Sequence, residues 1–189
     1  MQEPDPILES GSEKLCQACG LCCRGVWFSH VPLDHDEIEP ASKVGIKVVF
    51  RGAEAGFNQP CAMHKENRCS IYGVWRPKVC VSYSCALLDD YLAGDTPFTT
   101  ALSHVRAARV MADRIQAETG VTVADGGLAT KKFLFQVEDS TVEGSNALSP
   151  SGRADAVALS VYYDRFFKKP SLGEKSSGTE ALTPSRNSE

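Results

Sequence analysis

The cysteines are the residues whose type and spacing point most directly to chemistry in this chain. The sequence has eight of them, all in its first half, in two groups of four. The first group is compact and the second is spread out: Cys16, Cys19, Cys22 and Cys23, then Cys61, Cys69, Cys80 and Cys85. Thiolates are the ligands of zinc sites and of iron–sulfur clusters. We therefore predict that all eight cysteines bind metal, in two centres or in one polynuclear centre.

The first group, C-Q-A-C-G-L-C-C, repeats a C-x2-C unit, which lets two sulfurs reach one metal from a single tight turn. The run from Cys16 through Cys19 to Cys22 has the spacing with which bacterial ferredoxins wrap three corners of a [4Fe–4S] cluster. Adjacent side chains diverge, so Cys22 and Cys23 are not expected to bind one mononuclear metal together. We predict that Cys23 turns to a second centre and that the first group is shared between two sites.

The second group has intervals of seven, ten and four residues, which are too wide for one turn. The fold must therefore bring these cysteines together. Arg76 and Pro77 lie between Cys69 and Cys80, where the proline restricts the turn and the guanidinium offsets the negative charge of a thiolate centre. We accordingly assign Arg76 as a cofactor-binding residue. The aromatic side chains of this region are expected to form an apolar wall that limits solvent access: Tyr72, Trp75 and Tyr83.

Together these residues resemble the YkgJ-type cysteine-cluster family, which is named for its CxxCxxCC motif. The resemblance covers residues 14–90 and rests on these positions: Cys16, Cys19, Gly20, Cys22, Cys23, Cys61, Cys69, Ile71, Tyr72, Arg76, Pro77, Cys80 and Cys85. It implies a bound iron–sulfur cluster or zinc, and the family is often labelled an Fe–S oxidoreductase. A similar domain in flagellin lysine N-methylases makes methyl transfer a distant alternative. The radical-SAM spacing C-x3-C-x2-C is absent from the sequence.

Short strands are expected to position the cysteines. Residues 26–33, 46–50 and 131–138 are rich in β-branched and aromatic side chains, whereas 51–60 reads as a loop. Asp34 is a candidate helix cap, with Glu37 three residues later as its capping-box partner. Residues 14–25 hold the first cysteine group, and Gly20 and Gly25 are expected to give tight turns there.

Amphipathic helices are predicted in the second half. Residues 86–93 end at Gly94, residues 99–119 end at Gly120, and residues 152–168 follow Ser151 as a cap. The middle helix has an apolar stripe at helical spacing: Leu102, Val105, Ala108, Ala112 and Ile115. The aromatic stripe of the last helix is interpreted as core packing: Tyr162, Tyr163, Phe166 and Phe167. Three arginines of the middle helix are interpreted as a solvated face: Arg106, Arg109 and Arg114.

Composition limits the class of protein. A net charge of −4 gives no electrostatic reason to expect nucleic acid, and no apolar run is long enough to span a membrane. The first residues lack a secretory signal, so we expect a cytoplasmic protein whose thiols stay reduced. In that compartment a dense cysteine pattern favours metal over disulfides.

We predict one small, metal-organised α+β domain with short strands and C-terminal amphipathic helices. Its parts are a flexible N-terminus, a cysteine-cluster domain, a helical part that packs on it and a disordered tail: 1–13, 14–95, 96–169 and 170–189.

The metal and the function have more than one interpretation. The C-x2-C-x2-C run favours a [4Fe–4S] cluster, and four-thiolate sets also suit Zn²⁺. His64, three residues after Cys61, is interpreted as a polar loop residue rather than a ligand. The favoured function is an iron–sulfur oxidoreductase or electron-transfer protein with a partner reductase. The alternatives are a zinc-stabilised binding module and a metal-dependent protein-modifying enzyme.

Overall fold

The computed structural model describes residues 11–66, 68–120 and 148–169 of the chain. Its helices are α1 Gly11–Cys19, α2 Ile38–Lys43, α3 Lys78–Ser82, α4 Ala86–Ala93, α5 Phe98–Thr119 and α6 Pro150–Phe166. Its strands are β1 His30–Leu33, β2 Val49–Arg51, β3 Glu54–Asn58, β4 His64–Lys65 and β5 Arg68–Cys69, and a short 3-10 helix spans His35–Glu37. The predicted α+β class with C-terminal helices is confirmed. The strand predicted at 131–138 and the tail at 170–189 lie outside the described residues.

Helices α1, α4, α5 and α6 pack around one hydrophobic core, which we call the helical core. The stripe predicted on α5 faces this core: Val105, Ala108, Ala112 and Ile115 are buried, and Leu102 packs at its edge. Small side chains on both α5 and α6 allow the two helices to approach closely. The aromatic stripe of the last helix also packs here as predicted, with Phe167 only 1% exposed. None of the helices in the described ranges has both the length and the apolar character needed to cross a bilayer.

The ends of α4 and α5 are those that the sequence predicts. Each helix is followed by a glycine in the left-handed region, Gly94 with φ 85° and Gly120 with φ 61°. Other residues adopt this conformation only at an energetic cost, which is why glycine is common just past a helix end.

The cap of α6 differs from the prediction. Ser149, not Ser151, precedes the helix, and its hydroxyl accepts a hydrogen bond from the Gly152 N–H at 3.1 Å. Pro150 occupies the first turn, where its missing N–H has no helical partner to lose. The Glu118 carboxylate of α5 accepts hydrogen bonds from the Ser149 N–H and hydroxyl at 3.0 Å. This clamp joins the end of α5 to the start of α6.

A three-stranded antiparallel sheet has the order β1-β3-β2, with Val31 opposite Phe57 and Val49 opposite Gly56. Its central strand β3 lies in the segment predicted to be a loop. That prediction is wrong because the sequence EAGFN has no β-branched residue, and the strand is stabilised by its two neighbours instead. Gly56 fits because a Cβ there would lie 2.5 Å from the Val31 carbonyl oxygen. The flanking strands are shorter than, or shifted from, the predicted 26–33 and 46–50.

The sheet and α2 enclose a second core, which we call the sheet core: Val31, Leu33, Ala41, Ile46, Ala55, Phe57, Met63 and Ile71. The turn from β1 into α2 carries the predicted capping-box contact, in which the Glu37 carboxylate accepts from the Asp34 N–H at 3.0 Å. The described chain therefore has two cores, one helical and one around the sheet.

Replacing Phe167 with alanine is expected to lower the free energy of unfolding by about 3–5 kcal/mol, because a fully buried aromatic ring is lost from the helical core. Urea denaturation at a fixed metal concentration measures the change. Phe50, which is 65% exposed on β2, is the matched control. Its replacement with alanine should change stability by no more than about 0.5 kcal/mol. Equal losses in the two variants would contradict the assignment of Phe167 to the core.

Candidate metal centre

The first two cysteines lie on a helix. Cys16 and Cys19 are three residues apart on α1, and this spacing places them on the same face. The single tight turn expected to carry both sulfurs of this C-x2-C unit is instead the last turn of a regular helix, Gly11–Cys19. The predicted turn begins at Gly20, which has φ 59° and whose N–H donates to the Cys16 carbonyl at 3.1 Å. Cys22 and Cys23 follow in that turn.

The eight cysteines line two cavities. The first, of about 60 Å³, is bordered by five of them: Cys16, Cys19, Cys22, Cys23 and Cys85. The second, of about 70 Å³, is bordered by the rest and by two that are shared: Cys16, Cys23, Cys61, Cys69 and Cys80. The fold thus gathers cysteines that lie up to 69 positions apart, from Cys16 to Cys85, around two adjoining spaces.

The electrostatic influence of the thiols on one another broadly follows the two cavities, and Cys16, which borders both, acts on thiols of each. Burial raises the pKa of Cys19 to about 12, and the Cys85 and Cys16 thiols add to the rise. Burial also raises the pKa of Cys23, and there the largest contribution from another thiol is that of Cys61. The remaining thiols that act on Cys23 include Cys80 and Cys69, which line the second cavity with it.

Each cavity adjoins a different core. Cys19, Cys22 and Cys85 pack against the helical core, whereas Cys61 and Cys69 pack against the sheet core. We call the set Cys16, Cys19, Cys22 and Cys85 centre A, and the set Cys23, Cys61, Cys69 and Cys80 centre B. Neighbouring Cys22 and Cys23 fall into different sets, although Cys23, like Cys16, borders both cavities.

Backbone contacts position the second cysteine group. The Cys61 N–H donates to the Cys23 carbonyl at 2.8 Å, which ties the two groups together. Cys69 pairs with His64 in the β4–β5 hairpin. Cys80 lies on α3, and Cys85 is the residue that caps α4. The N-terminal backbone of α4 favours a thiolate at Cys85, although burial still raises its pKa.

A buried carboxylate holds the helix that carries Cys80. Glu37 is 5% exposed, and it accepts from the Lys78 N–H at 2.6 Å as well as from the Asp34 N–H. Lys78 begins α3, so Glu37 satisfies an N–H that a helix start leaves without a partner. This second use of Glu37 has no local sequence signal, since the two residues are 41 positions apart.

Arg76 lies at the second cavity, with its guanidinium carbon 3.7 Å from the centre of the Tyr72 ring. Its charge counteracts the burial that raises the pKa of Cys16. Of the three aromatic residues expected to wall the site, Tyr72 borders the second cavity and Tyr83 the first. Trp75 packs against the sheet core instead.

Two arginines connect the segment of the first cysteine group to α5, and the sequence analysis assigned neither of them to the site. Arg24 makes an ion pair with Asp113 and donates to the Gln116 side chain at 2.6 Å. Arg109 donates to the Ala18 carbonyl at 2.7 Å. The interpretation of Arg109 as part of a solvated face is therefore wrong: it joins α5 to α1 beside the cysteines. Both arginines also border an open polar cavity of about 460 Å³ beside His64.

His64 borders the second cavity, and its ring rests on Gly20, where a Cβ would lie 2.7 Å from Nε2. Its pKa is lowered by burial and by the charges of Arg24 and Arg109. The prediction that His64 is a bystander and not a ligand stays a prediction.

Buried polar atoms without partners are concentrated at the cavities. In the described part of the chain four such side-chain atoms occur: Trp27 Nε1, His30 Nδ1, Gln59 Oε1 and His64 Nε2. Trp27 borders the first cavity, and Gln59 and His64 border the second. Buried polar groups usually have partners, and thiolates bound to a metal accept hydrogen bonds. Trp27 Nε1, and His64 Nε2 when it carries the proton, are donors that such sulfurs would satisfy, whereas Gln59 Oε1 only accepts. The two donors therefore fit metal centres with charged sulfur ligands.

All eight cysteines are free thiols. Across residues 11–66, 68–120 and 148–169, no three cysteine, histidine, aspartate or glutamate side chains are already arranged to hold a single metal ion. Centres A and B are accordingly defined by the cavities, the cores and the electrostatic neighbours described above.

The comparison with protein families agrees with this chemistry. Residues 15–103 match the family described as "CxxCxxCC: Putative zinc- or iron-chelating domain". This part of the chain matches the CxxCxxCC family. The match includes all eight cysteines and ends within α5. Comparison with the curated proteins and with the solved structures gave no significant match.

Metal uptake by the eight cysteines is expected to depend steeply on pH. Burial raises the pKa of several thiols, Cys19 to about 12, so they are protonated at neutral pH when no metal is bound. A metal binds the thiolate, and each bond formed releases a proton. Zn²⁺ affinity should therefore rise between pH 6 and 8, by about tenfold per pH unit for each proton released. Competition with a chelator of known affinity measures it, and an affinity independent of pH would contradict the prediction.

Replacing Glu37 with glutamine is expected to lower the free energy of unfolding by about 1–3 kcal/mol. The glutamine NH₂ would then face one of the two backbone N–H groups from which the carboxylate accepts hydrogen bonds. Urea denaturation measures the loss. Glu39, exposed and paired with Lys43, is the control, and its replacement with glutamine should cost less than about 0.5 kcal/mol. If both variants unfold alike, Glu37 does not hold α3.

Proposed function

We propose that the chain is an iron–sulfur protein that carries a cluster in centre A and another in centre B, and that it transfers electrons. The observation that carries the proposal is the division of eight cysteines between two adjoining cavities. Four cysteines are the usual ligand set of a [4Fe–4S] cluster. Such clusters, when bound, accept and release single electrons at potentials that the protein tunes.

Cavity size supports a cluster over a single ion. A cavity needs about 10–15 Å³ of this kind of volume to hold one water molecule. The two cavities, at about 60 and 70 Å³, are several times larger. A single metal ion bound by four sulfurs needs a smaller volume than either cavity provides, whereas a polynuclear cluster would fill it.

The exposure of the cysteines supports exchange with a partner. Cys16 and Cys80 are exposed, and the other six are half-buried. Each centre thus has one exposed ligand and three half-buried ones. This arrangement suits electron transfer to or from a protein reductase, which we include in the proposal as the partner.

The second candidate is a zinc-stabilised binding module. The observation that favours it is the same pair of four-cysteine sets, because structural zinc is bound by four thiolates in a closed tetrahedral site. In that case the ion would stabilise the fold and the thiolates would undergo no redox change.

Metal and sulfide analysis with a visible spectrum, on protein purified without oxygen, tests the choice. We expect about eight irons, about eight sulfides and a broad visible absorbance per chain, as for two cubane clusters. About two zincs without colour would support the binding module instead. Protein that binds neither metal stoichiometrically would overturn both.

Serine variants test the division into two centres. Cys22→Ser and Cys85→Ser should each lose the same half of the metal, because both residues belong to centre A. Cys23→Ser and Cys61→Ser should lose the other half. The double variant Cys22→Ser with Cys85→Ser should lose no more than either single one, whereas Cys22→Ser with Cys23→Ser should lose nearly all.

Cys22 and Cys23 are matched controls for each other, since they are adjacent and differ in the cavity they serve. Metal analysis together with the visible spectrum distinguishes loss of the metal in centre A from loss of the metal in centre B. Identical losses from Cys22→Ser and Cys23→Ser would contradict the two-centre arrangement and favour one polynuclear centre.

A further inference from the structure

Trp27 is the largest side chain that borders the first cavity, and it is held there firmly. The residue is 8% exposed. Its ring centre lies 4.7 Å from that of Tyr163 and 5.2 Å from that of Phe167. The indole therefore lies between the cavity of centre A and the aromatic residues at the end of α6.

The indole nitrogen of Trp27 is buried and has no hydrogen-bond partner. An indole N–H is a donor only, and a buried tryptophan usually finds an acceptor. Packing explains why the ring is buried, but it does not explain why the N–H is left without an acceptor beside five cysteines.

The acceptors within reach of this cavity are few. Apart from Trp27 itself, its lining side chains are apolar or cysteine, with Tyr83 as the exception. A neutral thiol accepts hydrogen bonds weakly, whereas an ionised group accepts them strongly. The cysteine sulfurs thus become good acceptors for Trp27 when metal replaces their protons.

We propose that Trp27 is a positioning residue of centre A, and that its indole N–H donates a hydrogen bond to a metal-bound cysteine sulfur. The inference rests on the proposed function, since it needs metal in centre A. Hydrogen bonds to the sulfurs are one of the means by which a protein sets the potential of a cluster. Trp27 would therefore influence one centre and leave the other unchanged.

The composition of the chain makes the test direct. It has two tryptophans, so a ¹⁵N-labelled full-length sample shows two indole N–H signals. Trp75, which packs against the sheet core, is the internal control. The variant Trp75→Phe assigns the signals without touching Trp27. Zn²⁺ is the probe, because it is diamagnetic and binds thiolates.

On titration with Zn²⁺ we expect the Trp27 signal to move further downfield than the Trp75 signal, and the exchange of the Trp27 N–H with solvent to slow. The variant Tyr83→Phe should leave the shift unchanged, since the acceptor is a sulfur. A shift that disappears in Tyr83→Phe would make Tyr83 the acceptor and overturn the inference.

The outcomes separate this inference from the proposed function. If Zn²⁺ loads stoichiometrically and the Trp27 signal stays in place, the inference fails and the centres stand. If no metal loads, both fail. In the iron-loaded protein, Trp27→Phe should move the reduction potential of one centre to a more negative value, because the reduced cluster loses a donor. Trp75→Phe should leave both potentials unchanged, and equal shifts in the two variants would overturn the inference.

Discussion

The hydrogen bond from the Cys61 N–H to the Cys23 carbonyl joins the two halves of the cysteine pattern, at 2.8 Å. It brings the compact first group next to a residue 38 positions further along the chain. Cys23 borders both cavities, whereas its neighbour Cys22 borders only the first and packs against the helical core. The junction therefore lies where the two cavities adjoin.

Burial of the thiols creates the main energetic constraint at the junction. A thiol taken out of water resists ionisation, as the raised pKa values of Cys19 and Cys22 show. Several thiolates in one small region also repel one another. The ionised cluster is therefore stable only when metal neutralises it, which couples folding, proton release and metal uptake. The positive charges of Arg76 and Arg109 lie close enough to offset part of what remains.

Supports for the centres come from elements far away in sequence. Glu37 holds the helix of Cys80 through a backbone N–H, and Arg109 holds α1 from the middle of α5. Phe167, beyond α6, packs against Trp27 at the first cavity and accepts a hydrogen bond from the Ala86 N–H through its carbonyl. The family match ends at residue 103, yet part of this support lies beyond it. The C-terminal helices are thus structural partners of the metal-binding segment.

Features that depend on local backbone preference could be predicted from the sequence. The ends of helices α4 and α5 at Gly94 and Gly120 were predictable because a glycine that can adopt the left-handed conformation is a local signal of a helix end. The contact between Asp34 and Glu37 was readable for the same reason, as it spans a single turn. The cysteine spacing likewise indicated thiolate chemistry, since ligand type is a property of the residue itself.

Which cysteines lie together depends on long-range packing, which the sequence does not show. Strand β3 is stable because its neighbours pair with it, and its own residues carry little strand signal. Trp27, Glu37 and Arg109 reach the site through contacts with residues distant in sequence, which no local pattern records. Cys16 and Cys85 share a cavity for the same reason: packing of the helical core, rather than spacing along the chain, brings them together.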